Sequence, residues 1–309
     1  MSEHNNQNQG EVETTGHAWD GDLQEYNNPL PRWWLWTFYA SVIFAVVYWI
    51  LYPAWPVGDT YTKGLMNTIT YETESGEEKT THWNTRALFL KEMKESPAAV
   101  RQQEYLDQVA DLSYEAIQND PDLMAFTRSY ARGLFGDNCA ACHQQGGGGV
   151  MGAYPNLVDD AWLWGGDFAD INETLHQGRL GYMPPFQETF TEEQLNSVAA
   201  YALSLSGHDV DRQLASQGEA IFNGDTGGCY YCHTTEGTGR ESVGAANLTD
   251  SIWTVADVPG ADGIDAKMAA VKEVIHDGIQ RRMPKFGDRL SEDEIRLLTL
   301  YVHELGGGQ

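Results

Sequence analysis

Positive charge is in short supply in this chain. Its 309 residues hold 19 Lys and Arg against 45 Asp and Glu, a formal net charge of −26. A phosphate backbone is bound through a basic footprint, so the balance argues against a nucleic-acid partner. It fits a solvated acidic surface or basic protein partners. Long apolar runs are also sparse, and one stretch stands apart. Residues 33–52 carry no charge over twenty positions. At ~1.5 Å rise each they span ~30 Å, the hydrocarbon thickness of a bilayer. Trp33, Trp34 and Trp36 crowd one end and Trp49, Tyr52 and Trp55 the other, as in the aromatic belts of a spanning helix. Pro53 and Pro56 stop it. A cleaved signal peptide is disfavoured, because a polar, acid-rich segment precedes the run and no small-residue cleavage site follows. The run reads as an uncleaved anchor. Arg32 abuts its first end and Lys63 is the nearest cation beyond the second, which favours a cytoplasmic N-terminus.

Cysteine is scarcer still. The four cysteines all fall in two copies of one pentapeptide, CAACH at 139–143 and CYYCH at 229–233. A disulfide framework does not explain a histidine after both pairs. A four-cysteine zinc ribbon has a spacer of ~15–20 residues between its pairs, whereas 86 residues separate Cys142 from Cys229. C-x-x-C-H is the attachment motif of c-type haem. Residues i and i+3 share one helical face, so Cys139 with Cys142, and Cys229 with Cys232, can both reach one edge of a macrocycle. His143 and His233 follow directly as axial ligands. Two covalent haem c groups are expected.

An electron-transfer haem needs a sixth ligand, and methionine opposite histidine raises the reduction potential. Met151, Met183, Met268 and Met283 follow the motifs. Met183 in GYMPPF and Met283 in RRMPKF have matching surroundings, each seven residues after a His-x-Gly that begins at His176 or His276. The proline after each fixes an extended backbone that can hold the thioether still. Met151 lies only eight residues past His143. Asn156-Leu157 matches Asn247-Leu248 and Trp162 matches Trp253. The chain therefore holds an internal duplication, with two copies rather than a solenoid. Thr191-x-x-Gln194 and Ser291-x-x-Glu294 predict capping boxes, followed by apolar stripes at 195, 198, 202, 205 and 295, 298, 302, 305. Asp120 and Pro121 open the first copy as N-cap and first helical residue. The expected pairing is local: His143 with Met183 and His233 with Met283, with a crossed arrangement also compatible with the sequence. His176 and His276 read as structural. Trp162, Trp253, Arg179, Arg281 and Arg282 are candidate partners for haem propionates.

Each copy resembles a class I cytochrome c domain. The segment HAWDGDLQEYNNPLPRWWLW at 17–36, running into the anchor, closely resembles the N-terminus of the dihaem subunit of cbb3-type cytochrome c oxidases, the CcoP/FixP family. Asp22 stands as one extra residue against the family pattern, and Leu23 replaces its isoleucine. The resemblance implies a mainly α chain, with one N-terminal transmembrane helix followed by two tandem class I cytochrome c domains. The segments are a cytoplasmic 1–32, an anchor at 33–55, a periplasmic connection at 56–120, and cytochrome domains at 121–207 and 208–309. It also implies an electron relay in the bacterial inner membrane, with the cytochrome domains on the periplasmic side. Electrons would pass from a donor cytochrome c toward monohaem and catalytic subunits, where oxygen is reduced to water. No independent catalysis is expected. The alternatives are a dihaem carrier serving another reductase or dehydrogenase, a haem sensor or peroxidase, and a haemless disulfide scaffold. Within the connection, a hairpin is expected around Ser75-Gly76, with helices at 85–95 and on toward Ile117. Residues 1–16 are polar and expected to be disordered.

Overall fold

The computed structural model describes residues 13–65, 68–73 and 75–306. It divides into two compact units, residues 1–101 and 102–309. In the first, β1 (Thr14–Trp19) pairs antiparallel with β2 (Leu23–Tyr26), turning through Asp20 and Gly21 at positive φ. Part of the expected disorder is thereby corrected. Thr14, Thr15 and Gly16 form a strand, while residues 1–12 lie outside the described ones.

Helix α1 spans Arg32–Leu51, and none of it is buried. It is apolar on every face, which is the pattern of a helix whose whole surface meets lipid or other apolar partners. It starts after Pro31 and ends at Tyr52, just before Pro53. Strands β3 (Pro56–Val57) and β4 (Thr60–Tyr61) form a short hairpin. The hairpin expected around Ser75-Gly76 is present as β5 (Thr68–Glu72) and β6 (Glu78–His82), in register from Thr68↔His82 to Glu72↔Glu78. Helix α2 (Thr85–Glu95) is capped by Asn84, whose side chain accepts from the Ala87 N–H. Lys94 donates to Glu72 at 2.9 Å and ties α2 to β5.

Helix α3 (Pro97–Asp111) leads into the second unit, followed by α4 (Tyr114–Gln118) and α5 (Pro121–Asn138). Asp120 caps α5 by accepting from the N–H groups of Asp122 and Leu123. Then come α6 (Ala140–His143), α7 (Phe168–Gln177), β7 (Arg179–Met183) and α8 (Glu192–Leu205). The second copy repeats the order as α9 (Arg212–Phe222), α10 (Tyr230–His233), α11 (Gly263–Asp277), β8 (Ile279–Met283) and α12 (Glu292–Glu304). Both expected capping boxes are formed.

The two copies do not pack as separate bodies split at residue 207. Apolar side chains of α5 (Leu123, Ala131, Phe135) and α7 (Ile171, Leu175) share a core with Ile295, Leu298 and Val302 of α12. Those last three form the stripe of the second copy. Conversely, Leu195, Val198 and Ala202 of α8, the stripe of the first copy, share a core with Val271 and Ile275 of α11. The α8 helix also packs along α9. The crossing occurs at β7 and β8, which pair antiparallel from Arg179↔Met283 to Met183↔Ile279. Past the strands, the Phe286 N–H donates to Leu175 O at 2.8 Å and the Phe186 N–H to Ile275 O at 3.1 Å. Helix C-termini leave carbonyls without intrahelical partners, and here the other copy's chain supplies donors. Each sequence repeat thus gives its last helix to the other repeat's core.

Candidate functional site

Both C-x-x-C-H motifs wind into a single helical turn, α6 and α10. The His143 Nδ1 lies 2.9 Å from Pro155 O, and His233 Nδ1 lies 2.9 Å from Ala246 O. A carbonyl can only accept, so Nδ1 carries the proton and Nε2 keeps its lone pair. Burial, the larger influence, lowers both histidines below the usual imidazole range, against an opposing pull from these hydrogen bonds. Each ring is a neutral, oriented nitrogen ligand whose other ring nitrogen is fixed, as in metal-bound histidines generally. The next residue adopts an unusual backbone in both copies. Gln144 has φ 62° and ψ 163°, Thr234 φ 64° and ψ 166°. Such a conformation costs non-glycine residues of order 1–3 kcal/mol and persists where surroundings fix it. Here the Gly149 and Gly239 N–H groups hold the carbonyls of His143 and His233, both at 3.0 Å.

None of the four cysteines is paired in a disulfide. Burial pushes Cys139 and Cys229 up to about 11, so both are uncharged S–H groups at neutral pH. As thioethers to a haem c group these sulfurs would be uncharged as well, which suits their buried surroundings.

One cavity of about 860 Å³ runs through this unit, and both motifs, Met183 and Met283 all line it. Met151 and Met268 do not line it, nor do His176 and His276. His176 is engaged elsewhere, bonded to Asn172 O and to Glu292, both at 3.0 Å. The candidate propionate partners Trp162, Trp253, Arg179, Arg281 and Arg282 line the cavity too. The Trp162 indole N–H is spent on Asp159 O at 3.1 Å. The matching Trp253 N–H is buried with no partner among the described residues. A buried donor left unpaired is costly, so a cavity-lining one marks a place for an acceptor group. The donor set and the apolar lining fit haem c at both motifs.

The two candidate methionines pack on different cores. Met283 packs on the core that contains Cys139, and Met183 packs on the core of α8 and α11. The α8 helix continues this second core to the other motif. Tyr201 stacks edge-on to Phe222 at 5.2 Å between ring centroids, and Phe222 lies 6.3 Å from the His233 ring. Sequence reasoning missed the carbonyls of Pro155 and Ala246. The matched Asn-Leu pairs directly after them were the available signal.

Two family models match the chain. The N-terminal domain of cytochrome oxidase-cbb3, FixP, covers residues 11–59. Cytochrome c oxidase, cbb3-type, subunit III covers 129–201 and 213–302. Among curated proteins, a cbb3-type cytochrome c oxidase subunit FixP of Azorhizobium caulinodans is 39% identical across 97% of this chain and 95% of its own length. The subunit CcoP of Cereibacter sphaeroides is 38% identical across 98% of both. The subunit FixP of Rhizobium meliloti is 36% identical across 96% of both.

Proposed function

The chain belongs to the CcoP/FixP family of cbb3-type cytochrome c oxidase subunits, and from that premise we propose a membrane-anchored electron relay carrying two haem c groups. Cys139 and Cys142 would hold one group by thioether bonds, and Cys229 and Cys232 the other. When bound, haem c would supply one-electron redox chemistry at each site. His143 and Met283 would hold the iron of the first group, and His233 and Met183 that of the second. This crossed set rests on the core in which each methionine sits. With a histidine and a methionine both engaged in holding each group, the chain would serve electron transfer rather than oxygen chemistry of its own. Its function is realised beside the monohaem and catalytic subunits of the oxidase. Both sites line one cavity.

The α1 helix anchors the chain in the bilayer, with Arg32 at its cytoplasmic end and the cytochrome unit on the periplasmic side of the inner membrane. The net charge of −26 suits a basic donor cytochrome, guided by electrostatic steering. The single observation that carries the proposal is the repeated site: two C-x-x-C-H turns, each histidine fixed through Nδ1, facing one cavity with two methionines. The test is a pyridine haemochrome assay on the full-length protein purified from membranes in mild detergent. Two haem c per chain, co-purifying with b-type haem and oxygen uptake, support the reading. One haem per chain contradicts it, and two haems on a chain that purifies without b-type haem send it to another respiratory complex.

A further inference from the structure

The exchange of strands brings each His-x-Gly of one repeat against the Met-Pro of the other. Gly178 ends α7 at φ 69° and ψ −179°, and Gly278 ends α11 at φ 71° and ψ −174°. This region of backbone space favours glycine; Gln144 and Thr234 occupy its neighbourhood in this chain only at a cost of order 1–3 kcal/mol. Space gives a second, independent requirement. A Cβ on Gly178 would run into Met283 O and come within 2.8 Å of Lys285 N and 2.9 Å of Pro284 C. A Cβ on Gly278 would lie 2.6 Å from Met183 O and 2.7 Å from Pro185 N. These neighbours are backbone atoms on both sides, so no side chain can swing away. The hydrogen bonds from Phe286 N–H to Leu175 O and from Phe186 N–H to Ile275 O clamp the same two crossings from beyond.

We propose that Gly178 and Gly278 are positioning residues for the axial methionines of the opposite repeat, Gly178 for Met283 and Gly278 for Met183. Each glycine lets a helix end serve as the seat on which the other copy's Met-Pro backbone rests. The adjoining thioether is thereby held at a fixed depth in the cavity. The proposal rests on methionine ligation at both irons. It does not depend on which iron each methionine takes.

The test reads the near-infrared charge-transfer band of methionine-ligated ferric haem in the full-length, haem-loaded protein. Met183→His and Met283→His should each remove about half of the band. Gly178→Ala should also remove about half. It should have no further effect in the Met283→His background, and should abolish the band in the Met183→His background. Gly278→Ala should show the mirror pattern. Haem content by staining should stay at the wild-type level, which separates loss of ligation from loss of the protein. An intact band in Gly178→Ala overturns the proposal, as does a further loss in the Met283→His background. If Gly178→Ala does not accumulate, Gly287→Ala tests the same seam more gently, its Cβ lying 3.1 Å from His176 O. Half of its band should then disappear at a lower temperature than in wild type, and wild-type thermal behaviour overturns the proposal. No loss of band in either methionine variant defeats the ligation reading instead. The iron-ligand pairing is decided separately by a structure of the loaded protein.

Discussion

Cutting the chain at residue 207 should destroy the core around the first C-x-x-C-H motif rather than release an intact domain. That core takes Ile295, Leu297, Leu298, Leu300 and Val302 from α12, none of them more than 5% exposed. Full burial of such a side chain contributes about 1.5–3 kcal/mol, so five contribute roughly 8–15 kcal/mol. The total stability of a domain is about 5–15 kcal/mol. A fragment of residues 121–207 therefore loses as much as its whole margin, and leaves Leu123, Ala131 and Phe135 of α5 without their partner. It also loses Met283. The assay is expression of 121–207 alone, 208–309 alone, and both together, in a host competent for haem attachment. Circular dichroism melts and the methionine–iron band are the readouts. Each fragment alone should lack a cooperative melt and the band, and the pair should recover both by associating. A monomeric 121–207 fragment that melts cooperatively and shows the band would refute the exchange.

Three smaller perturbations follow from the same structure. Phe222→Ala removes a ring that is 2% exposed and lies between Tyr201 and His233. It should cost about 3–5 kcal/mol, seen as a lower denaturant midpoint with an unchanged slope. Asp120→Ala removes the acceptor for two N–H groups at the start of α5 and should cost about 1 kcal/mol, measurable in the same unfolding curves. Electron transfer from a basic cytochrome c should slow as ionic strength rises, because screening shortens the reach of the acidic surface. Stopped-flow rates that stay flat with salt would count against steering.

Local features of the fold were legible because their causes are local. The Asp120-Pro121 start, both capping boxes, the apolar helix at Arg32–Leu51 and the hairpin at Ser75-Gly76 each depend on residues adjacent in sequence, and each is present. The strand at Thr14–Trp19 was not read, since its register comes from β2 and not from its own polar sequence. The exchange was hidden for a different reason. The stripes at 195, 198, 202 and 295, 298, 302 are near-copies, so either fits either core, and periodicity cannot say which. One overlooked clue was length. Only six residues separate α8 from α9, and so short a connection makes neighbours of two helices. That alone places the last helix of the first copy on the first helix of the second. In the site, candidate ligand types were readable from spacing, whereas the carbonyls beside His143 and His233 lie 12 and 13 residues away, marked only indirectly by the matched Asn-Leu pairs that follow them.

The most direct measurement is an electron cryo-microscopy structure of the haem-loaded protein within its purified membrane complex, read at the two irons. The account predicts His143 and Met283 on one iron, His233 and Met183 on the other, with thioether bonds from both cysteine pairs. Met183 on the iron of His143, or an iron with no methionine, would contradict it.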